Sequence, residues 1–413
     1  MAIDNILETR QIQEVLQHVQ TDKKFSFGTD VLSKGIYINE PATNPEATPI
    51  YMTTAFNVED LDDLQKRYDE HGFCYNRNRN PNRSALIELM TYAENGEDSI
   101  ACSSGMGAIA TTIISNVKAG DHIVSDMTLY GETIDIFTKV LSHYGVETTF
   151  ADFTDIDSVK KAIRPNTALL YTETVSNPMI TVPDLKAIAD IAHDNNAIFV
   201  VDNTFMTCVQ CRPLDLGADI VVNSLTKFAN GHSDAVCGSA TGKASLIKKA
   251  YDLQVLIGTQ ADPFSSWLVS RGFRTIQLRV RQQAKNATAL AKALDASPYV
   301  LKVNHPSLPN HPQHELAAKQ FNGFGGMLSI ELPEDRDKMN KFMRALSFAH
   351  YAMTLGGYRT TLSYPVMSSH YDVPREERLK MGITDGLLRI SCGIEETDDL
   401  VNDFLNALEI AYK

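Results

Sequence analysis

Five short apolar runs recur along the middle of the chain, at 99–102, 122–125, 168–172, 197–201 and 219–222, with helical patterns between them. Strand and helix alternating at this spacing predict an α/β fold: a mostly parallel sheet sandwiched by helices, which is why each run is apolar on both sides. In such sheets ligands gather at the carboxyl ends of the strands. The residues just beyond each run are therefore the first to read for function.

The most informative run leads into SLTKFANGHSD, where Ile220, Val221 and Val222 give way to a polar turn carrying Ser224, Thr226 and Lys227. A lysine at the edge of a buried strand can lose its charge by desolvation and become a nucleophilic amine. A solvated lysine on a connecting loop is the plain alternative. Asp202 ends the run in VVDNTF, and 227 minus 202 leaves 25 positions, room for one further helix and strand. A buried aspartate capping a turn is its plain alternative. CSSGMGAIATTII sets Ser-Gly-Met-Gly before an apolar helix, a turn whose amides at Gly105 and Met106 suit an anion. Many strand-to-helix turns are glycine-rich, so this one gains meaning only beside the lysine and the aspartate. Tyr130, in SDMTLYGET, follows the second run and can stack on a flat ring or exchange a proton.

Composition narrows the partners. A length of 413 residues suits two or three lobes rather than one small core. The formal charge, 38 minus 51 or −13, argues against nucleic acid or an anionic membrane as partner. No stretch approaches ~18 uninterrupted apolar residues, and no basic segment with an apolar core opens the chain. The expectation is a cytoplasmic protein, and six cysteines over this length fit a reducing compartment. Cys208 and Cys211 form a CxxC without a second matching pair, so free thiols are expected and no metal.

Ile6, Leu7, Ile12, Val15, Leu16 and Val19 mark a short amphipathic helix. Pro41, Pro45 and Pro49 then make a loop-like stretch, and 59–70 reads as a charged helix. In GFCYNRNRNPNRSALIELM, Tyr75 and Arg77 precede Asn80-Pro81, and Ser84 is expected to open the next helix. Taken alone this is a basic turn. Residues 271–294 read as one long basic helix leading into a smaller C-terminal α+β lobe, with strands expected in GFGGMLSIEL and GLLRISCGIEE.

Together SLTKFANGHSD, CSSGMG, VVDNTF, VSNPMI, LLRISCG and YNRNRNPN resemble the Cys/Met metabolism enzymes, which use pyridoxal 5'-phosphate. This group contains cystathionine γ-lyase, cystathionine γ-synthase, methionine γ-lyase and the homoserine sulfhydrylases. The resemblance runs from about Pro49 to about Ile394. It implies the fold-type-I, aspartate-aminotransferase-like architecture, with an N-terminal arm at 1–79 packing on a neighbouring subunit, a large cofactor domain at 80–278 and a small domain at 279–413. It also implies that Lys227 carries the cofactor, Asp202 pairs with the ring nitrogen, and Tyr130 covers the ring and serves in proton transfer. Asn177 and Thr204 contact the ring by the same match. Gly105, Met106, Ser224 and Thr226 hold the phosphate with Tyr75 and Arg77 of the adjacent subunit. Arg389 grips the substrate α-carboxylate by two parallel hydrogen bonds, with Thr354 nearby in place of the family serine. A homo-oligomer is implied, commonly a tetramer.

The sequence departs from the family at the substrate's far end. Asn82 stands where threonine is usual in the NPT motif. Glu132 replaces the cysteine of methionine γ-lyases, Asp135 an arginine of many cystathionine enzymes, and Met353 a glutamate of several cystathionine lyases. Glu132 either favours a substrate with a cationic far end, such as cystathionine or canavanine, or points to solvent. Three readings follow: a γ-elimination lyase, a γ-replacement synthase or sulfhydrylase, or a cofactor-binding protein without turnover.

Overall fold

A computed structural model of the chain describes residues 25–36, 45–369, 371 and 373–413. The expected helix through Ile6 and Val19 lies outside the described residues, as does Pro41.

The larger sheet has seven strands: β1 (Asp98–Cys102), β2 (His122–Asp126), β3 (Glu147–Ala151), β4 (Thr167–Glu173), β5 (Ile198–Asp202), β6 (Ile220–Ser224) and β7 (Gly238–Gly242). Their order is β1-β7-β6-β5-β4-β2-β3, and only β7 runs antiparallel to its neighbours. The alternation of side chains explains the apolar runs. Leu170, Phe199, Val201 and Val221 pack into a core on one face, while Leu169, Tyr171, Val200, Ile220 and Val222 pack into another core on the opposite face. The five runs are β1, β2, β4, β5 and β6. Edge strand β3 (ETTFA) is too polar to declare itself, and β7 (GSATG) is made of small residues.

A second sheet contains β8 (Lys302–Asn304), β9 (Met327–Glu331), β10 (His350–Tyr351), β11 (Thr361–Ser363) and β12 (Leu387–Ser391), in the order β10-β11-β12-β9-β8. It is antiparallel apart from the β10–β11 pair. It has its own core, built around Phe342, Leu388, Ile390 and Phe404.

Residues 271–294, expected as one helix, belong to two: Pro263–Phe273 and Ile276–Asp295. The chain breaks where the Arg274 guanidinium turns to bind the carbonyls of Val31 and Lys34. The longer helix joins the two cores. Ile276 and Val280 belong to the core of the large sheet, and Ala287, Leu290 and Leu294 to that of the small one. Residues 278 and 279 thus fall inside a continuous helix. The helix expected to open at Ser84 starts earlier, at Pro81, because the Asn80 side chain caps it by accepting from the Asn82 amide. Asn82 in turn donates to the Pro49 carbonyl at 2.7 Å and accepts from the Tyr51 amide at 2.8 Å. The residue that departs from NPT thus staples the loop at Pro49 and Tyr51 to the start of this helix.

All six cysteines are free thiols. Among the described residues no helix is long and apolar enough to cross a membrane, and no cluster of His, Cys, Asp or Glu is placed to hold a metal ion.

Candidate active site

The carboxyl ends of β4, β5 and β6 open into a cavity of about 310 Å³ lined by Lys227, Tyr130, Asp202, Asn177 and Arg389, among others. Gly105, Met106, Thr204, Ser224, Thr226, Glu132, Met353 and Thr354 line it as well. Residues spread over almost three hundred positions of sequence therefore share one space.

One end of the cavity is an anion cradle. The helix Gly105–Asn116 starts there, capped by Ser104, whose Oγ accepts from the Gly107 amide at 2.9 Å. The amides at Gly105 and Met106 have no intrahelical acceptor by position, and the helix end adds positive potential. A Cβ on Gly105 would lie 2.8 Å from Ser224 Oγ, so only glycine lets the β6 hydroxyl approach the helix start. Thr226 lines the same space, but its hydroxyl already bridges the carbonyl and amide of Cys237 at 3.2 and 3.1 Å.

The end of β5 brings a half-buried carboxylate to the same cavity. Asp202 accepts from the Thr204 amide at 2.9 Å, and the Thr204 hydroxyl oxygen accepts from the Ser224 amide at 2.8 Å, tying the ends of β5 and β6 together. Burial raises the Asp202 pKa, and the Thr204 hydrogen bonds hold it back.

Lys227 occupies the turn after β6. Burial lowers its pKa first, then the Arg389 charge, with Glu132 opposing. The turn is held from two sides. The Arg279 guanidinium bonds the carbonyls of Phe228, Ala229 and Gly272 at 2.8, 3.0 and 2.9 Å. Gly356, at φ +76°, presses so close that a Cβ there would sit 2.4 Å from the Phe228 nitrogen. The C-terminal lobe thus packs directly on the lysine turn.

Arg389, on β12, is buried and donates to Asn177 Oδ1 at 2.9 Å and to the Thr354 carbonyl at 3.4 Å. Burial lowers its pKa to about 10, still high enough to keep it cationic. With its oxygen held by Arg389, Asn177 keeps its amide NH2 for the cavity. The Tyr130 pKa is pushed up to about 12, by burial first and then by the Glu132 charge and hydrogen bond, so the phenol is protonated at neutral pH. Glu132 is exposed at the rim, near both Tyr130 and Lys227. Asp135 is not in the cavity; it pairs with Lys139 at 2.8 Å, one turn along its helical segment.

Tyr75 and Arg77 lie away from this cavity. Tyr75 is 48% exposed, and Arg77 stacks over its ring and donates to the Val255 carbonyl at 2.8 Å. The sequence reading missed Ser104, Glu173 and Arg279. Ser104 was legible as a serine before the helix pattern; Arg279 lies 51 positions from Phe228, and spacing alone gives no sign of that contact.

A half-buried amine whose pKa is lowered, an anion cradle and a half-buried carboxylate lining one cavity suit a phosphorylated aromatic aldehyde. The family model for Cys/Met metabolism PLP-dependent enzymes matches residues 29–409. The chain belongs to that family, and pyridoxal phosphate is its cofactor. It is 41% identical to an L-methionine gamma-lyase of Porphyromonas gingivalis, covering 88% of this chain and 92% of that protein. It is also 41% identical to a cystathionine gamma-lyase of Bacillus subtilis, covering 89% and 95%. A cystathionine gamma synthase of Xanthomonas oryzae superposes with a TM-score of 0.89 at 33% identity, covering 94% of this chain and 99% of that one. The residues present fit the cofactor: the glycine-start cradle offers unpaired helix amides that suit a phosphate, and the Asp202 carboxylate, held by the Thr204 amide, suits a basic ring nitrogen.

Proposed function

We propose that the chain is a γ-elimination lyase acting on a γ-substituted amino acid of the cystathionine or methionine kind. The products are a 2-oxo acid, ammonia and the leaving group. The observation that carries this reading is that Lys227 and Tyr130 line one cavity, the amine with its pKa lowered by burial and the phenol with its pKa raised to about 12. When bound, pyridoxal phosphate supplies the electron sink that makes the α and then the β proton of an amino acid acidic. Lys227 carries the cofactor and, when freed, takes the α proton through Nζ. Arg389 fixes the substrate carboxylate, with Thr354 beside it. Tyr130 Oη gives its proton to the heteroatom leaving the γ carbon. Asn177, Asp202 and Thr204 contact the ring, and Gly105, Met106, Ser224 and Thr226 the phosphate.

Glu132 favours substrates whose far end is cationic, such as cystathionine or canavanine, since it places a carboxylate at the cavity rim. Tyr75 and Arg77 complete the site of a neighbouring subunit, which makes the protein a homo-oligomer, in our reading a cytoplasmic tetramer with arm, large domain and small domain dividing near residues 79 and 278. The γ-replacement reading keeps the same residues and differs only in what captures the intermediate. Purified, cofactor-loaded protein is assayed without thiol against methionine, cystathionine, O-acetylhomoserine and canavanine. Release of 2-oxo acid and ammonia is expected; turnover only after a thiol is added would make it a replacement enzyme.

A further inference from the structure

Glu173 closes β4, is buried, lines the cavity, and has no part in the scheme above. Its partner in the parallel ladder is Asp202 on β5, so both carboxyl groups project from adjacent strands on the same face. Adjacent strands lie roughly 5 Å apart, and carboxyl groups on paired residues of one face oppose each other's ionisation. Their surroundings are unequal. Asp202 is flanked by one carboxyl group, whereas Glu173 stands between Asp202 and the buried Asp126 at the end of β2. Tyr130, Tyr171 and Arg389 also face it, and only Arg389 brings a compensating positive charge. Glu173 Oε1 accepts from the Tyr130 backbone amide at 2.8 Å, and the carboxyl group also accepts from the Asn177 amide.

We propose that Glu173 is a positioning residue of the cofactor site: a neutral carboxylic acid that ties down the turns bearing Tyr130 and Asn177 and leaves the single negative charge of the pair on Asp202. It acts through those three residues, and the inference rests on their reading as the contacts of the cofactor ring. Burial raises the Glu173 pKa well above the usual carboxylate range, in the same direction as the geometric argument.

The test compares cofactor-loaded wild type with Glu173→Gln and Glu173→Ala, reading three signals: cofactor dissociation constant, visible circular dichroism of the bound cofactor, and the pH midpoint of its absorbance. Far-UV melting of each variant checks folding. Glu173→Ala is expected to weaken cofactor binding about tenfold, the scale of one well-placed hydrogen bond to the protein frame, and to flatten the visible dichroism. Glu173→Gln keeps a neutral acceptor at the same place and is expected to rescue both signals with the midpoint unmoved. A wild-type-like Glu173→Ala, or a midpoint moved by about one unit or more in Glu173→Gln, overturns the proposal. If Glu173→Ala does not fold, the Glu173→Gln arm decides alone. Tyr130→Phe and Asp202→Asn run alongside. If these leave every signal unchanged, the ring-contact reading fails and Glu173 falls with it; if they move the signals and the Glu173 variants do not, only the Glu173 proposal falls.

Discussion

The seven-stranded and five-stranded sheets supply the site in different ways. In the large sheet, parallel strands end side by side, and Glu173, Asp202 and Ser224 are the last residues of β4, β5 and β6. Their convergence follows from topology, because successive parallel strands all deliver their carboxyl ends to one edge. In the small sheet, antiparallel strands alternate direction and no edge collects function. Its one strand residue in the cavity is Arg389, from the middle of β12, helped by the loop Met353–Leu355 and by Ser368 and Ser369. In our proposal the large sheet makes a place for the cofactor, and the small one supplies the arginine that grips the substrate.

Removing that reach gives the largest expected effect. Arg389→Leu deletes a buried cation and leaves Asn177 Oδ1 without its donor, so kcat/KM falls by about a hundredfold or more, chiefly through KM. Arg389→Lys recovers part of it, since an ammonium keeps the charge but not the two-pronged geometry. Steady-state kinetics with cofactor saturated decide, and an unchanged KM would mean that the small sheet plays no part in substrate binding.

The next prediction concerns stability at the small sheet's border. His305, fully buried after β8, and His311, bonded to the Ile180 carbonyl, both have pKa values lowered to about 4, burial being the main cause. The sign is fixed by linkage. The unfolded chain protonates these rings near their ordinary value while the folded chain resists, so stability falls as pH drops from about 6.5 to about 4. For His305 the full swing is about 3 kcal/mol. Glu94, raised to about 7 by burial, works in the opposite direction: its stabilising contribution is lost as pH rises from about 4.5 through 7. The readout is therefore the difference between His305→Asn and wild type in denaturant unfolding at each pH. The acid loss is expected to shrink in the variant, and parallel curves would contradict the buried, neutral ring.

The smallest effect is at the exposed rim of the large sheet. Glu132→Gln should lower kcat/KM for canavanine relative to methionine by about fivefold, since an exposed charge is screened. It should also lower the Lys227 pKa further in cofactor-free protein, because Glu132 opposes the depression. Equal losses on all substrates would remove charge selection from the account.

How far the sequence could be read follows the same division. Lys227, Asp202 and Tyr130 were legible because each follows an apolar run, and a parallel sheet turns that local sign into a shared location. The spacing of Arg389 from the lysine carries no such signal; the resemblance to a family pointed to it, and the packing of Gly356 on the lysine turn shows how the lobe comes to be there. The break at Arg274 was hidden because the carbonyls that its side chain meets there, at Val31 and Lys34, lie more than two hundred residues away. Glu173 was overlooked although it stands just beyond the run at 168–172, since its meaning lies in which strand pairs beside it.

The central claim is that one amine carries the cofactor. Borohydride reduction of cofactor-loaded protein, followed by peptide mass mapping, should place the phosphopyridoxyl mass on Lys227 and nowhere else. A label on another lysine, or none, would contradict the account.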